Sequence, residues 1–163
     1  MTIRLLMSSC LVGQCCRWDA NNGKSIVTPR LHKMLCAGEV AVICPECAGG
    51  LDVPRPAAEI APGHCAKCVL SGAGRVVNTA GEDVTAAYVQ GAEAAVALAK
   101  KHGIRVAVLK AKSPSCSPAK GVYDGTFTHT LVEGSGVAAQ ALADAGVTLF
   151  DETELEAALA ALD

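Results

Sequence analysis

Four short, unbroken apolar runs constrain this chain more than any other feature in it. Ile3 to Met7 leads into Ser8-Ser9-Cys10, Glu39 to Ile43 into Cys44-Pro45-Glu46, and Arg105 to Leu109 into the segment Lys110 to Cys116. Val147 to Phe150 closes the series. Runs this short, without alternation, read as strands covered on both faces, the usual state of a parallel sheet. Helical patterns lie between and after them: Pro29 to Cys36 closed by Gly38, Thr85 to Lys101 closed by Gly103, Gly136 to Ala145 closed by Gly146, and Thr153 to Leu162. Strands alternating with helices predict an α/β fold, a Rossmann-like three-layer sandwich with a mostly parallel sheet. From Pro45 to Asn78 proline and glycine break every period, and this stretch reads as a long irregular active-site loop.

At 163 residues and 51% apolar, the chain has the size and apolar content of one catalytic domain spanning 1–163. A net charge of -2, with Lys and Arg spread along the sequence, gives no basic stripe for nucleic acid, and five aromatic residues leave few rings for stacking bases. A small-molecule ligand is expected instead. Met1 to Ser9 lacks the apolar core and cleavage site of a secretory signal, and no stretch approaches the roughly 18 apolar residues of a spanning helix. The expectation is a soluble, cytoplasmic protein.

Nine cysteines are a large excess for this length. In a reducing compartment they point to metal or thiolate chemistry rather than to a disulfide framework. Cys10, Cys44 and Cys116 each follow a predicted strand, and in an open α/β sheet ligands gather at those carboxyl ends. Three thiolates on one rim suit a 4Fe-4S cluster with one iron left open, or a catalytic zinc with one open position. A buried cysteine is also an ordinary small hydrophobe, and Cys16 and Cys36 are read that way.

The spacing supports a rival. Cys44-x2-Cys47 and Cys65-x2-Cys68 are separated by seventeen residues (48–64), within the range of a zinc ribbon. On that alternative the chain is a structural or binding protein. Spacing and fold therefore compete for Cys44. Around the cysteines, Glu46 has the chemistry of a general base or acid beside a metal. Ser113 and Ser115 have hydroxyls suited to substrate binding or to capping a loop, and Arg55 lies on the expected rim.

Ser9-Cys10-Leu11-Val12-Gly13 with Cys16-Arg17-Trp18-Asp19, Cys44-Pro45-Glu46, Gly49-Gly50-Leu51, Pro54 through Ile60, Gly81 through Thr85, and Lys112 through Phe127 form ordered blocks across nearly the whole chain. Together they resemble the thiouracil desulfidase (TudS) family. The resemblance implies a 4Fe-4S cluster held by Cys10, Cys44 and Cys116, with one iron not bound by protein and free for the sulfur of a thiolated pyrimidine. It implies a hydrolytic, non-redox conversion of 2- or 4-thiouracil to uracil with release of sulfide. In that reaction Glu46 activates water, Ser113 assists proton movement, and Ser9, Ser115 and Arg55 contact substrate. Two departures stand out. Cys47, Cys65 and Cys68 lie outside the family pattern, and Ser117 stands where a glycine is usual, which makes the loop after Cys116 less tolerant of positive φ.

Overall fold

The computed structural model describes residues 2–21 and 23–163. Four strands form its central sheet: β1 (Leu5–Ser8), β2 (Val40–Ile43), β5 (Val106–Leu109) and β8 (Thr148–Asp151), ordered β2-β1-β5-β8 and parallel throughout. Between β2 and β5 the chain forms two short helices, α2 (Pro45–Ala48) and α3 (Ala66–Leu70), and the antiparallel pair β3 (Ala58–Ile60) and β4 (Val76–Asn78). The remaining helices are α1 (Pro29–Cys36), α4 (Thr85–His102), α5 (Val137–Asp144) and α6 (Leu155–Ala160), with a second small hairpin of β6 (Val122–Tyr123) and β7 (Leu131–Val132).

Alternate residues of the central strands supply the two cores. Leu6, Ala41, Ala107 and Leu109 face the α4–α5 layer, where Tyr88, Ala92, Ala95, Val137 and Leu142 are buried. Leu5, Met7, Val106 and Val108 face α1 and α6, through Leu31, Met34, Leu155 and Leu159. The result is a three-layer α/β arrangement. Small Ala side chains on α4 bring that helix close to the sheet. The chain leaves β1 to pair β2 on one side and later returns to place β5 on the other. The carboxyl ends of β1 and β5 therefore diverge to opposite helical layers, which opens a crevice between them.

The segment from Pro45 to Asn78 is not an irregular loop. It carries two helices and a hairpin, each only three to five residues long. None is long enough to display a hydrophobic period, which is why the sequence shows only its breakers. Backbone contact seats α2 against α4: a methyl at Gly91 would lie 2.0 Å from the Pro45 carbonyl oxygen, and one at Gly49 would lie 1.9 Å from that of Ala87. Glycine on both sides of this crossing is a requirement of close approach. Among the described residues no helix is long and apolar enough to cross a membrane.

Candidate active site

A cavity of about 230 Å³ opens at the carboxyl ends of β1, β2 and β5. Cys10 reaches it from the 3-10 turn Ser9–Val12 that follows β1, Cys44 from the junction of β2 with α2, and Cys116 from the loop after β5. Glu46, Arg55, Ser113, Ser115 and Ser9 line the same cavity. One site thus gathers every residue singled out for it from the sequence.

Glu46 stands in the first turn of α2, two residues after Cys44, with a side chain only 14% exposed. Its Oε1 accepts from Arg55 Nη2 at 3.1 Å and Nε at 3.2 Å, and its Oε2 accepts from Ser115 Oγ at 2.8 Å. Arg55 is 7% exposed. It also donates to the carbonyl of Cys16 at 3.0 Å and the carbonyl of Asp52 at 3.0 Å, and through Nη1 to Cys47 Sγ at 3.8 Å. Burial works against its charge, but the Glu46 carboxylate, through its charge and its hydrogen bond, favours the guanidinium and helps hold it more firmly protonated. With Glu46 and two carbonyls already on its fork, Arg55 serves to fix the carboxylate in place.

The loop from Lys110 to Cys116 is held by its own hydroxyls. Ser113 Oγ accepts from the backbone N–H groups of Ser115 and Cys116 at 3.2 and 3.1 Å and lies 3.0 Å from Ser115 Oγ. Glu46, Ser115 and Ser113 therefore form a hydrogen-bonded row ending beside Cys116, whose Sγ lies 3.6 Å from Ser115 Oγ. Lys112, in the same loop, adopts φ 66°, a left-handed conformation of the kind that collects at functional sites. Ser117 has no such conformation. It is buried, and its Oγ donates to the Gly121 carbonyl at 2.6 Å, so the glycine expected there is not needed.

Three further features of the site escaped the sequence reading. Cys16 lines the cavity beside Cys10 and Cys44, because its carbonyl is the meeting point of Arg55 and the thiols of Cys44 and Cys47, each thiol at 3.7 Å. Its sequence signal, one of two adjacent cysteines, carried no trace of that bridge. Glu59, on β3, is buried and accepts from the backbone N–H of Gly125 at 2.9 Å and of Phe127 at 3.2 Å, clamping the loop that brings His129 to the cavity wall. Ser8 Oγ accepts from Lys110 N at 3.0 Å and ties the ends of β1 and β5 together.

The thiols of Cys16, Cys44 and Cys116 are held neutral. Burial pushes Cys116 up to about 11, and a hydrogen bond with Cys10 is the main reason Cys16 rises to about 12; Cys44 is raised by its contact with Cys16 and by burial. All nine cysteines are free. The zinc-ribbon alternative fails on placement. Cys65 caps α3 and Cys68 lies on it, with Cys65 opening onto a different recess, and among the described residues no group of three or more His, Cys, Asp or Glu is arranged around a point that one metal ion would take. Cys10, Cys44 and Cys116 instead surround a volume. Soft thiol donors around a volume, with Arg17, Lys110 and Lys112 on its wall, fit an anionic iron–sulfur cluster better than a single zinc.

A family model described as 2-thiouracil desulfurase matches residues 5–154. The chain belongs to the 2-thiouracil desulfurase family. It is 38% identical over 151 residues to the Bacillus subtilis (strain 168) protein YbbK, covering 93% of this chain and 97% of that one. It also resembles the solved structure of a [4Fe-4S]-dependent thiouracil desulfidase, TudS, with a TM-score of 0.86 and 36% identity over 99% of this chain and 98% of that one. The family match and the likeness to this solved structure both extend over nearly the whole length of the chain.

Proposed function

We propose that the chain is a [4Fe-4S]-dependent desulfidase that converts a thiouracil to uracil and releases the sulfur as sulfide. The observation that carries this reading is that the three strand-end cysteines share one cavity with the Glu46–Arg55–Ser115 cluster. Family membership and the likeness to the thiouracil desulfidase support it.

Cys10, Cys44 and Cys116 hold the cluster, leaving one iron without a protein ligand. When bound, the cluster supplies a thiophilic Lewis acid for the thiocarbonyl sulfur. The protein's own residues do the rest. Glu46, oriented by Arg55, takes a proton from water as the water oxygen bonds to the thiocarbonyl carbon. Ser113 and Ser115, joined to Glu46 through the 2.8 and 3.0 Å contacts, pass that proton toward the departing sulfur. As the C–S bond breaks the added hydroxyl gives up its remaining proton, the carbon becomes a carbonyl, and the sulfur leaves with the water's two protons as hydrogen sulfide. The balance is hydrolysis, with no electrons exchanged with a donor. Ser9 and Ser115 present polar groups to the pyrimidine, and Arg55 acts on it through Glu46.

The substrate we assign is a small thiolated pyrimidine rather than a nucleic acid, which the enclosed cavity and the dispersed positive charge support. Residues 1–163 act as one catalytic domain with a Rossmann-like core, and nine free cysteines favour a cytoplasmic setting.

Anaerobic reconstitution with iron and sulfide, followed by incubation with 2- and 4-thiouracil, tests the proposal. About four irons and four sulfides per chain, as the cluster's formula requires, and equimolar uracil and sulfide without an electron donor are expected. One tightly held zinc and no turnover would overturn it.

A further inference from the structure

One buried group near the cavity is explained neither by packing nor by the mechanism so far. Tyr88, on α4, is 1% exposed, and among the described residues its hydroxyl is the only buried side-chain nitrogen or oxygen without a hydrogen-bond partner. An unpaired buried hydroxyl is costly, and phenylalanine would fill the same space without that cost.

The position of Tyr88 is set by the α2–α4 crossing. It lies between Ala87 and Gly91, the two residues at which α4 meets the backbone of α2 at Gly49 and Pro45. Glu46 stands between those two α2 residues, at the same crossing, and of the charged groups around the buried phenol its carboxylate acts on it most strongly. Glu46 Oε1 already takes two N–H groups of Arg55, and Oε2 takes one hydroxyl, that of Ser115. A carboxylate has about four acceptor positions, two on each oxygen, so Oε2 has room for another.

We propose that Tyr88 is a positioning residue for the desulfidation, its hydroxyl donating to Glu46 as a third partner beside Arg55 and Ser115 when the cavity is filled. Arg55 and Ser115 fix the carboxylate from the cavity side, and Tyr88 fixes it from α4. That third partner matters most when Ser115 turns from Glu46 toward the substrate. Burial, together with the Glu46 carboxylate, keeps the phenol protonated and available as a donor.

The proposal rests on the reading of Glu46 as the general base, and the test separates the two. In Tyr88→Phe, kcat is expected to fall about three- to tenfold, the equivalent of one ordinary hydrogen bond. KM should stay within about twofold. Iron and sulfide content should be unchanged and the melting temperature equal or higher. A packing role alone would give the same melting temperature and leave kcat untouched. Glu46→Gln is measured in parallel, with the double variant expected to be no slower than Glu46→Gln itself. If Glu46→Gln loses turnover while Tyr88→Phe keeps the wild-type kcat, the role of Tyr88 is overturned and the general base stands. If Glu46→Gln remains fully active, the general base is overturned, and Tyr88 with it.

Discussion

The carboxyl ends of β1 and β8 lie on the same edge of one parallel sheet, yet they are finished in opposite ways. After β8 the chain turns directly into helix. Asp151 caps the 3-10 turn Glu152–Glu154 by accepting from Thr153 N at 2.8 Å, while Glu154 reaches back to the Asp151 N–H at 3.1 Å. Lys120 adds ion pairs to both carboxylates. Lys110 pairs with the third carboxylate of the turn, Glu152, at 2.8 Å. After β1, β2 and β5, by contrast, the polar and sulfur groups point at a shared space. A buried Arg55–Glu46 pair and a left-handed Lys112 are retained there at a cost in stability. Sheet topology accounts for the difference. A crevice forms only where successive connections pass to opposite faces, between β1 and β5, and β8 has no neighbour on its far side.

The largest expected effect is at the thiols. Cys116→Ser should abolish cluster binding and turnover, read as iron content and as uracil formation, because a hydroxyl is a poor ligand for a soft metal. A Cys116→Ser protein that keeps its iron would break the contrast between the two edges. Glu46→Gln should retain the cluster and lose about 10²–10⁴ in turnover, the ordinary range for a general base. Gly91→Ala comes next. A methyl placed 2.0 Å from the Pro45 carbonyl must push α2 away, costing about 1–3 kcal/mol by overpacking. Activity should fall with it, because Glu46 rides on α2; a melting curve and a turnover assay read the two effects separately.

The β8 end should respond in stability alone. Asp151→Ala removes a cap and should cost about 1 kcal/mol, lowering the melting temperature by about 2–4 °C for a chain of this size, with kcat unchanged. The smallest effect is its pH dependence. Burial raises the Asp151 carboxyl, but hydrogen bonds from Thr153 and the Lys120 ammonium outweigh it and hold the group below its usual 3.8. Its contribution is therefore complete above about pH 4 and lost as the pH falls through the lower folded value. Melting curves between pH 7 and 3 should show a shallower acid decline in Asp151→Asn than in the wild type.

The sequence and the structure agree where elements are long or wholly apolar. The predicted strands Ile3–Met7, Glu39–Ile43, Arg105–Leu109 and Val147–Phe150 match β1, β2, β5 and β8 within two residues, and Pro29 to Cys36 is α1 in full. Between Pro45 and Asn78 the agreement ends, because elements of three to five residues are stabilised by what they pack against and not by a period of their own. Cys44 shows the same limit within the site. Its spacing to Cys47, Cys65 and Cys68 suited zinc, and only the placement of α3 beside another recess removed that option.

By itself the sequence determined the strand-and-helix alternation and, through it, that Cys10, Cys44 and Cys116 end on one rim, because parallel strands joined by helices leave no other place for residues that follow them. Its ordered motifs also carried the likeness to desulfidases. Only the tertiary structure decided what surrounds those thiols. The Arg55 clamp on Glu46, the carbonyl of Cys16 between two thiols and the phenol of Tyr88 near Glu46 join residues 9 to 42 positions apart. Contacts of that range are set by how closely α2 can approach α4. Two glycines permit that approach, and nothing in their sequence neighbourhood announces it.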